Sequence, residues 1–174
     1  MIDWGWVIDN RAMIGDLLWQ HARMVLLALL FGSLLTGGLL AITLRWPATA
    51  QPLITLCGVL FTIPSLALFI LLLPFTGLSL TTSLIGLTLY SLLILLRNML
   101  AGIEKLPQAA LESARALGYT RGFRFFDIEL WLLLPSLFAG LRIASVTLVG
   151  LVTVTALIGQ GGLGQLLLDR KSVV

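Results

Sequence analysis

Charge is scarce in this sequence: only 11% of its 174 residues are Asp, Glu, Lys or Arg. A water-soluble domain of that length needs far more to cover its surface. With 59% hydrophobic residues and a mean hydropathy of +1.05, most of the chain has lipid as its solvent. Cysteine and histidine are nearly missing as well. A single Cys57 inside an apolar run excludes a disulfide framework, and with a single His21 it leaves no ligand set for a metal. No carboxylate pair lies inside an apolar run, so no acid–base pair or activated nucleophile assembles within the membrane. The chain therefore reads as a non-enzyme that holds no cofactor. Its net charge of +3 comes from 11 Lys and Arg spread thinly between apolar runs. They form no continuous basic face, which excludes nucleic acid as a partner.

What is present is a series of long apolar runs. Residues 24–44 carry no charge, and at about 1.5 Å per residue they cross a hydrocarbon core of roughly 30 Å. Trp19 and Trp46 flank this run at headgroup level, and Arg45 closes it. Gly32, Gly37 and Gly38 inside it either permit close helix approach or reflect the ordinary frequency of glycine in membrane helices. A second run, 53–73, is interrupted by Pro64 and ended by Pro74, which predicts a kinked or broken helix whose freed carbonyls need partners. A third run spans 80–96, and a fourth spans 132–158 and contains Arg142, which must face protein or water. Residues 1–23 hold Asp3, Asp9 and Asp16 and lack a basic n-region, so they read as an extracytoplasmic or interfacial segment rather than a cleaved signal. The expected fold is thus all-α: one membrane domain of about four spans.

Between the third and fourth runs, residues 97–131 change character. Arg97, Lys105, Arg115, Arg121 and Arg124 stand against Glu104, Glu112, Asp127 and Glu129. No other loop holds as many basic residues, so the positive-inside bias puts this loop in the cytoplasm. Alternation then puts the uncharged turn 75–79 and the amino terminus outside, despite Arg11 and Arg23. Pro107 suits the first turn of a helix and Gly118 suits the residue just past its end, so 107–117 reads as a capped helix. Ala110, Ala114 and Leu117 fall on one side and Gln108, Glu112 and Arg115 on the other. So short a helix needs something to dock on. It is either a docking helix or a solvated connection.

The order Glu112-Ser113-Ala114, three residues, Gly118, nine residues, then Ile128-Glu129-Leu130 resembles the coupling loop of ABC importer permeases, Glu-Ala-Ala, three residues, Gly, nine residues, Ile-x-Leu-Pro. Ser113 replaces an alanine, and Trp131 stands where the proline is expected, with Pro135 four residues later. Thr62-Ile63-Pro64-Ser65-Leu66-Ala67-Leu68 resembles the TIPSLAL segment of permeases for glycine betaine, choline and carnitine, and residues 159–166 resemble their GAGGLGDLI ending.

The resemblance implies a type I ABC importer fold in the inner or plasma membrane of a prokaryote. Residues 111–119 become a coupling helix seated on a separate pair of ATP-binding cassette ATPase subunits. Leu111, Glu112, Ser113, Ala114, Arg115, Gly118 and Tyr119 form that loop: Glu112 and Arg115 offer polar contacts, Ala114 allows close approach, and Gly118 supplies a bend between two helical pieces. A second permease subunit, identical or paralogous, and a substrate-binding protein complete the implied assembly. Pro64 and Ser65 are candidates for the translocation pathway, through a carbonyl opened to a cavity, or else mark a kink satisfied by a neighbouring helix. Importers for methionine, taurine or similar solutes share the loop, and composition alone would also permit an ATP-independent channel or structural membrane protein. Relatives of this kind usually continue through a fifth span after the glycine-rich segment, which this sequence lacks.

Overall fold

The computed structural model describes residues 4–168. Among these the chain is helical and has no strand. A short helix α1 (Trp4–Asp9) leads into α2 (Arg11–Arg45). After a 3-10 turn at Pro47–Thr49 come α3 (Ala50–Thr62) and α4 (Ser65–Thr76), then α5 (Leu80–Glu104), α6 (Gln108–Ala116) and α7 (Arg121–Arg124). A π segment, Phe125–Glu129, joins α7 to α8 (Leu130–Thr155), and α9 (Gly164–Leu168) follows the glycine-rich turn.

Three stretches are long and apolar enough to cross a membrane: Arg11–Arg45, Leu80–Glu104 and Arg121–Ile158. The expected second span is a pair of helices, Pro47–Thr62 and Ser65–Thr76, bent by 96°. Its cause lies at the break, where Ile63 and Pro64 are extended with ψ of 125° and 136°. Proline cannot donate to the preceding turn and pushes the residue before it out of the helical region. The helices also overrun the hydrophobic runs. α2 begins at Arg11 rather than near Met24, and α5 continues past Arg97 to Glu104, so residues 97–104 and 121–131, expected in a loop, are mostly helical. A charged side chain ends an apolar run but leaves the backbone hydrogen-bond ladder intact.

At the centre lies α5, which packs against α2, α3, α4 and α8. Small residues bring these helices together, as expected where lipid removes most of the hydrophobic drive between spans. A Cβ on Gly32 would lie 2.0 Å from Ser91 Oγ, and one on Gly86 would lie 2.4 Å from the Phe69 ring, so these two sites require glycine. Gly37 and Gly38 have nothing within 4 Å, so of the three glycines in this run only Gly32 serves close approach. One core cluster joins Met24, Ala28, Phe69, Leu87, Leu148 and Val152, and a second joins Leu40, Met99, Leu106, Leu111 and Leu133.

Candidate coupling loop and broken span

The candidate coupling loop is built on α6. Pro107 forms its N-cap with ψ of 115°, one position earlier than the first-turn role expected of it. At the other end Tyr119 N–H donates to Ala114 O and Gly118 N–H to Arg115 O, each at 3.0 Å. That pair of bonds is a Schellman cap, which requires a left-handed residue, and Gly118 supplies it with φ of +80°. The chain turns there and re-enters helix at Thr120, whose side chain caps Phe123 N–H. Gly118 therefore sits between two helical pieces, α6 and α7, as the sequence predicts.

The apolar face differs from expectation. Leu111 and Ala114 are buried, Ala110 is half-buried and Leu117 is 77% exposed. Leu111 belongs to the core cluster of Leu40, Met99, Leu106 and Leu133, so α6 turns its buried side to the chain's own bundle. Ala114 is 2% exposed and so leaves almost no surface of its own for a partner. Leu117 lies beyond the last helical turn, where helical phase no longer applies. What faces outward is Glu112, Ser113, Arg115, Leu117, Gly118 and Tyr119. A hollow of about 320 Å³ opens beside this elbow, lined by Leu117, Gly118, Tyr119, Thr120, Phe123 and Asp127. Phe123 and Phe126 stand 68% and 65% exposed nearby, an apolar surface absent from the sequence-based site. Arg124 Nε donates to the buried Glu129 carboxylate at 2.5 Å, which staples the two ends of the π segment together.

At the broken span the carbonyls find partners close by. Tyr90 on α5 donates its hydroxyl to Ile63 O, Ile63 N–H donates to Leu60 O at 3.3 Å, and Thr62 Oγ1 donates to Val59 O at 2.6 Å. At these three positions the carbonyl is occupied, by a hydroxyl of the neighbouring helix α5, a backbone amide and a local threonine hydroxyl. Pro64 is exposed and Ser65 half-buried at the bend. Phe61 stacks edge-on against Tyr90, with centroids 5.3 Å apart. Tyr90 was not legible as a site residue, although a single hydrogen-bonding aromatic in the span after a proline break is the signal that could have found it. His21 was missed in the same way. It is buried, its Nδ1 accepts from Leu163 N–H at 3.4 Å, and its Nε2 lies 3.1 Å from Val149 O. Because Nδ1 must accept, Nε2 carries the hydrogen and donates, so one ring clamps α2 to both α8 and the glycine-rich turn. Arg142 lies on the exposed side of α8, between the buried Gly140 and Ala144 in sequence.

An all-helical bundle of spans long enough to cross a membrane, with a capped helix–glycine–helix elbow between two of them, places the chain among multi-span membrane proteins. Residues 28–172 match the profile of the family described as binding-protein-dependent transport system inner membrane component, and the chain belongs to that family. It is a non-enzymatic membrane component, ATP hydrolysis in such importers residing in a separate subunit. Among its relatives, the osmoprotectant import permease protein OsmW of Salmonella typhimurium is 35% identical over 96% of this chain and 80% of its own length. The choline transport system permease protein OpuBB of Bacillus subtilis is 32% identical over 86% of this chain and 70% of its own. In fold the chain is similar to a chain of the MetNI methionine ABC transporter in an inward-facing conformation, with a TM-score of 0.78 at 23% identity, covering 91% and 80% of the two chains.

Proposed function

We propose that this chain forms the translocation pathway of an ATP-driven importer of osmoprotectants carrying a quaternary ammonium group, such as glycine betaine, choline or carnitine. The observation that carries the coupling part is the elbow: a rigidly capped helix anchored inward by Leu111 and Ala114, with Glu112, Ser113, Arg115 and Tyr119 left outward. An ATPase pair seats on that outward face from the cytoplasm, and the exposed Leu117 and Phe123 add apolar contact. A second permease subunit, a copy or paralogue, and an external binding protein complete the importer in the prokaryotic inner membrane. ATP binding draws the two ATPase subunits together, displaces the elbows and rocks the spans between inward and outward openings. Pro64 and Ser65, at the bend and only partly covered, flank the route. Relatives named for osmoprotectant and choline transport support the substrate class.

The test is uptake of radiolabelled glycine betaine and choline in cells that express the complete operon, with membrane insertion checked in parallel. Intact permease should import; Glu112→Lys should insert normally yet import nothing and lose the co-purifying ATPase. Uptake undiminished by Glu112→Lys removes the coupling assignment. An ATPase that co-purifies without uptake of either solute removes the substrate class and leaves the permease standing.

A further inference from the structure

Beneath the elbow a second hollow, of about 670 Å³, opens between α2, α5, the α7–π segment and the start of α8. Its wall and its mouth differ in chemistry. The wall is apolar and comes from the spans: Leu40, Ala41 and Leu44 of α2, Met99 of α5 and Leu133 of α8. The mouth is basic: Arg45, Arg121 and Arg124 stand against Glu129. Among the described residues Glu129 pairs with Arg124, whereas Arg45 and Arg121 have no carboxylate partner. Two uncompensated guanidinium groups thus stand over an apolar channel. The Arg45 guanidinium lies 5.8 Å from the ring centroid of Trp46, and both Trp46 and Trp131 are well exposed. Exposed tryptophans at span ends favour the headgroup level, so the basic mouth lies at the membrane–water boundary and the wall lies at acyl depth.

From this arrangement we infer a binding site for an anionic glycerophospholipid, its phosphate between Arg45 and Arg121 and one acyl chain along Leu40, Leu44 and Leu133. That the lipid comes from the cytoplasmic leaflet rests on the cytoplasmic placement of the elbow proposed above. Planar guanidinium groups suit phosphate oxygens in paired hydrogen bonds. A soluble phosphate would gain nothing from the wall, and a zwitterionic lipid would bring a cationic group to a mouth that is already positive. A protein partner would meet the exposed residues Glu112, Arg115, Leu117 and Phe123, none of which lines this hollow. A lipid held here touches α2 and α7 together, which ties the elbow to the first span and makes its position sensitive to membrane charge. Basic juxtamembrane side chains contribute about 1 kcal/mol each toward anionic lipid, equivalent to about fivefold in affinity.

The experiment titrates the purified full-length permease with phosphatidylglycerol, phosphatidylcholine and inorganic phosphate, read by native mass spectrometry in detergent. Phosphatidylglycerol should bind more tightly than phosphatidylcholine. Arg45→Gln and Arg121→Gln should each weaken phosphatidylglycerol by about fivefold and narrow its advantage over phosphatidylcholine. Gly37 lines the channel and a Cβ there meets nothing within 4 Å, so Gly37→Leu should be accommodated by extending into the channel and should weaken both lipids. Equal binding of the two lipids, or arginine variants without effect, overturns the site. Inorganic phosphate that displaces phosphatidylglycerol at matching concentration also overturns it, in favour of a soluble anion. So does loss of the ATPase from the arginine variants with lipid binding intact, which assigns the mouth to a protein contact. An ATPase that fails to co-purify even with the intact permease rejects the coupling reading alone, because the lipid titration is read on the permease itself.

Discussion

Gly118 gives the sharpest test of the elbow, because its backbone and its surroundings make separable demands. Its φ of +80° lies in the left-handed region, yet a Cβ built on it meets nothing within 4 Å. Substitution therefore costs only the backbone term, about 1–2 kcal/mol for an ordinary L residue. Asparagine tolerates this region better than alanine, and β-branched valine tolerates it worse. A cost of that size changes the population of the capped elbow by a factor of about 5–30. Glycine, asparagine, alanine and valine at this position should thus form a descending series in co-purified ATPase and in uptake, with equal membrane insertion. The reasoning fails if alanine matches glycine. It fails equally if asparagine and alanine are equally impaired, since side-chain bulk against the partner would then explain the loss and left-handed geometry would not.

Tyr90→Phe keeps the ring that stacks on Phe61 and removes only the donor to Ile63 O. It should lower thermal stability in detergent by about 1–3 kcal/mol, the cost of leaving a carbonyl unpaired, and speed hydrogen exchange near residues 60–66 more than elsewhere. His21→Leu leaves the Leu163 amide without its acceptor and the Val149 carbonyl without a side-chain donor. Exchange and proteolysis should rise over residues 159–164 while α5 stays protected, and a uniform rise across the bundle would contradict the clamp.

Features that depend on local spacing were legible in the sequence. The four apolar runs, the break at Pro64 and the glycine bend after α6 all follow from composition, proline chemistry and the need for a left-handed residue. Helix ends were less legible: α2 starts at Arg11 and α5 reaches Glu104, because hydrophobicity marks the lipid layer while the backbone ladder runs beyond it. The face of α6 was misjudged for a related reason. Two or three turns admit more than one apolar stripe, and choosing Leu111 over Leu117 needs the neighbours Met99 and Leu133, supplied by helices far away in sequence or across a turn. Tyr90 meeting Ile63 and His21 meeting Leu163 are contacts of the same long-range kind.

The elbow and the bend share one element, and this constrains how a push on the proposed coupling loop could reach the proposed pathway. Leu111 of α6 and Met99 of α5 share one core cluster, and Tyr90 of α5 holds the end of α3 at the break. Phe69 of α4 also packs against Gly86 of α5 without room for a methyl group. A displacement of α6 that moves α5 as a rigid rod must therefore shift the seats of both halves of the broken span. Met99 and Tyr90 are nine positions apart, about 13 Å along a helix at 1.5 Å per residue. At that distance, with no shared partner, stability effects are expected to add. Leu111→Ala and Tyr90→Phe should accordingly be additive in thermal stability. In uptake they should not be additive, because both cut one line of transmission and the second cut removes little that the first has left. Uptake losses that simply multiply would show that α5 is not the link, and would move attention to α8, which also meets Leu111 through Leu133.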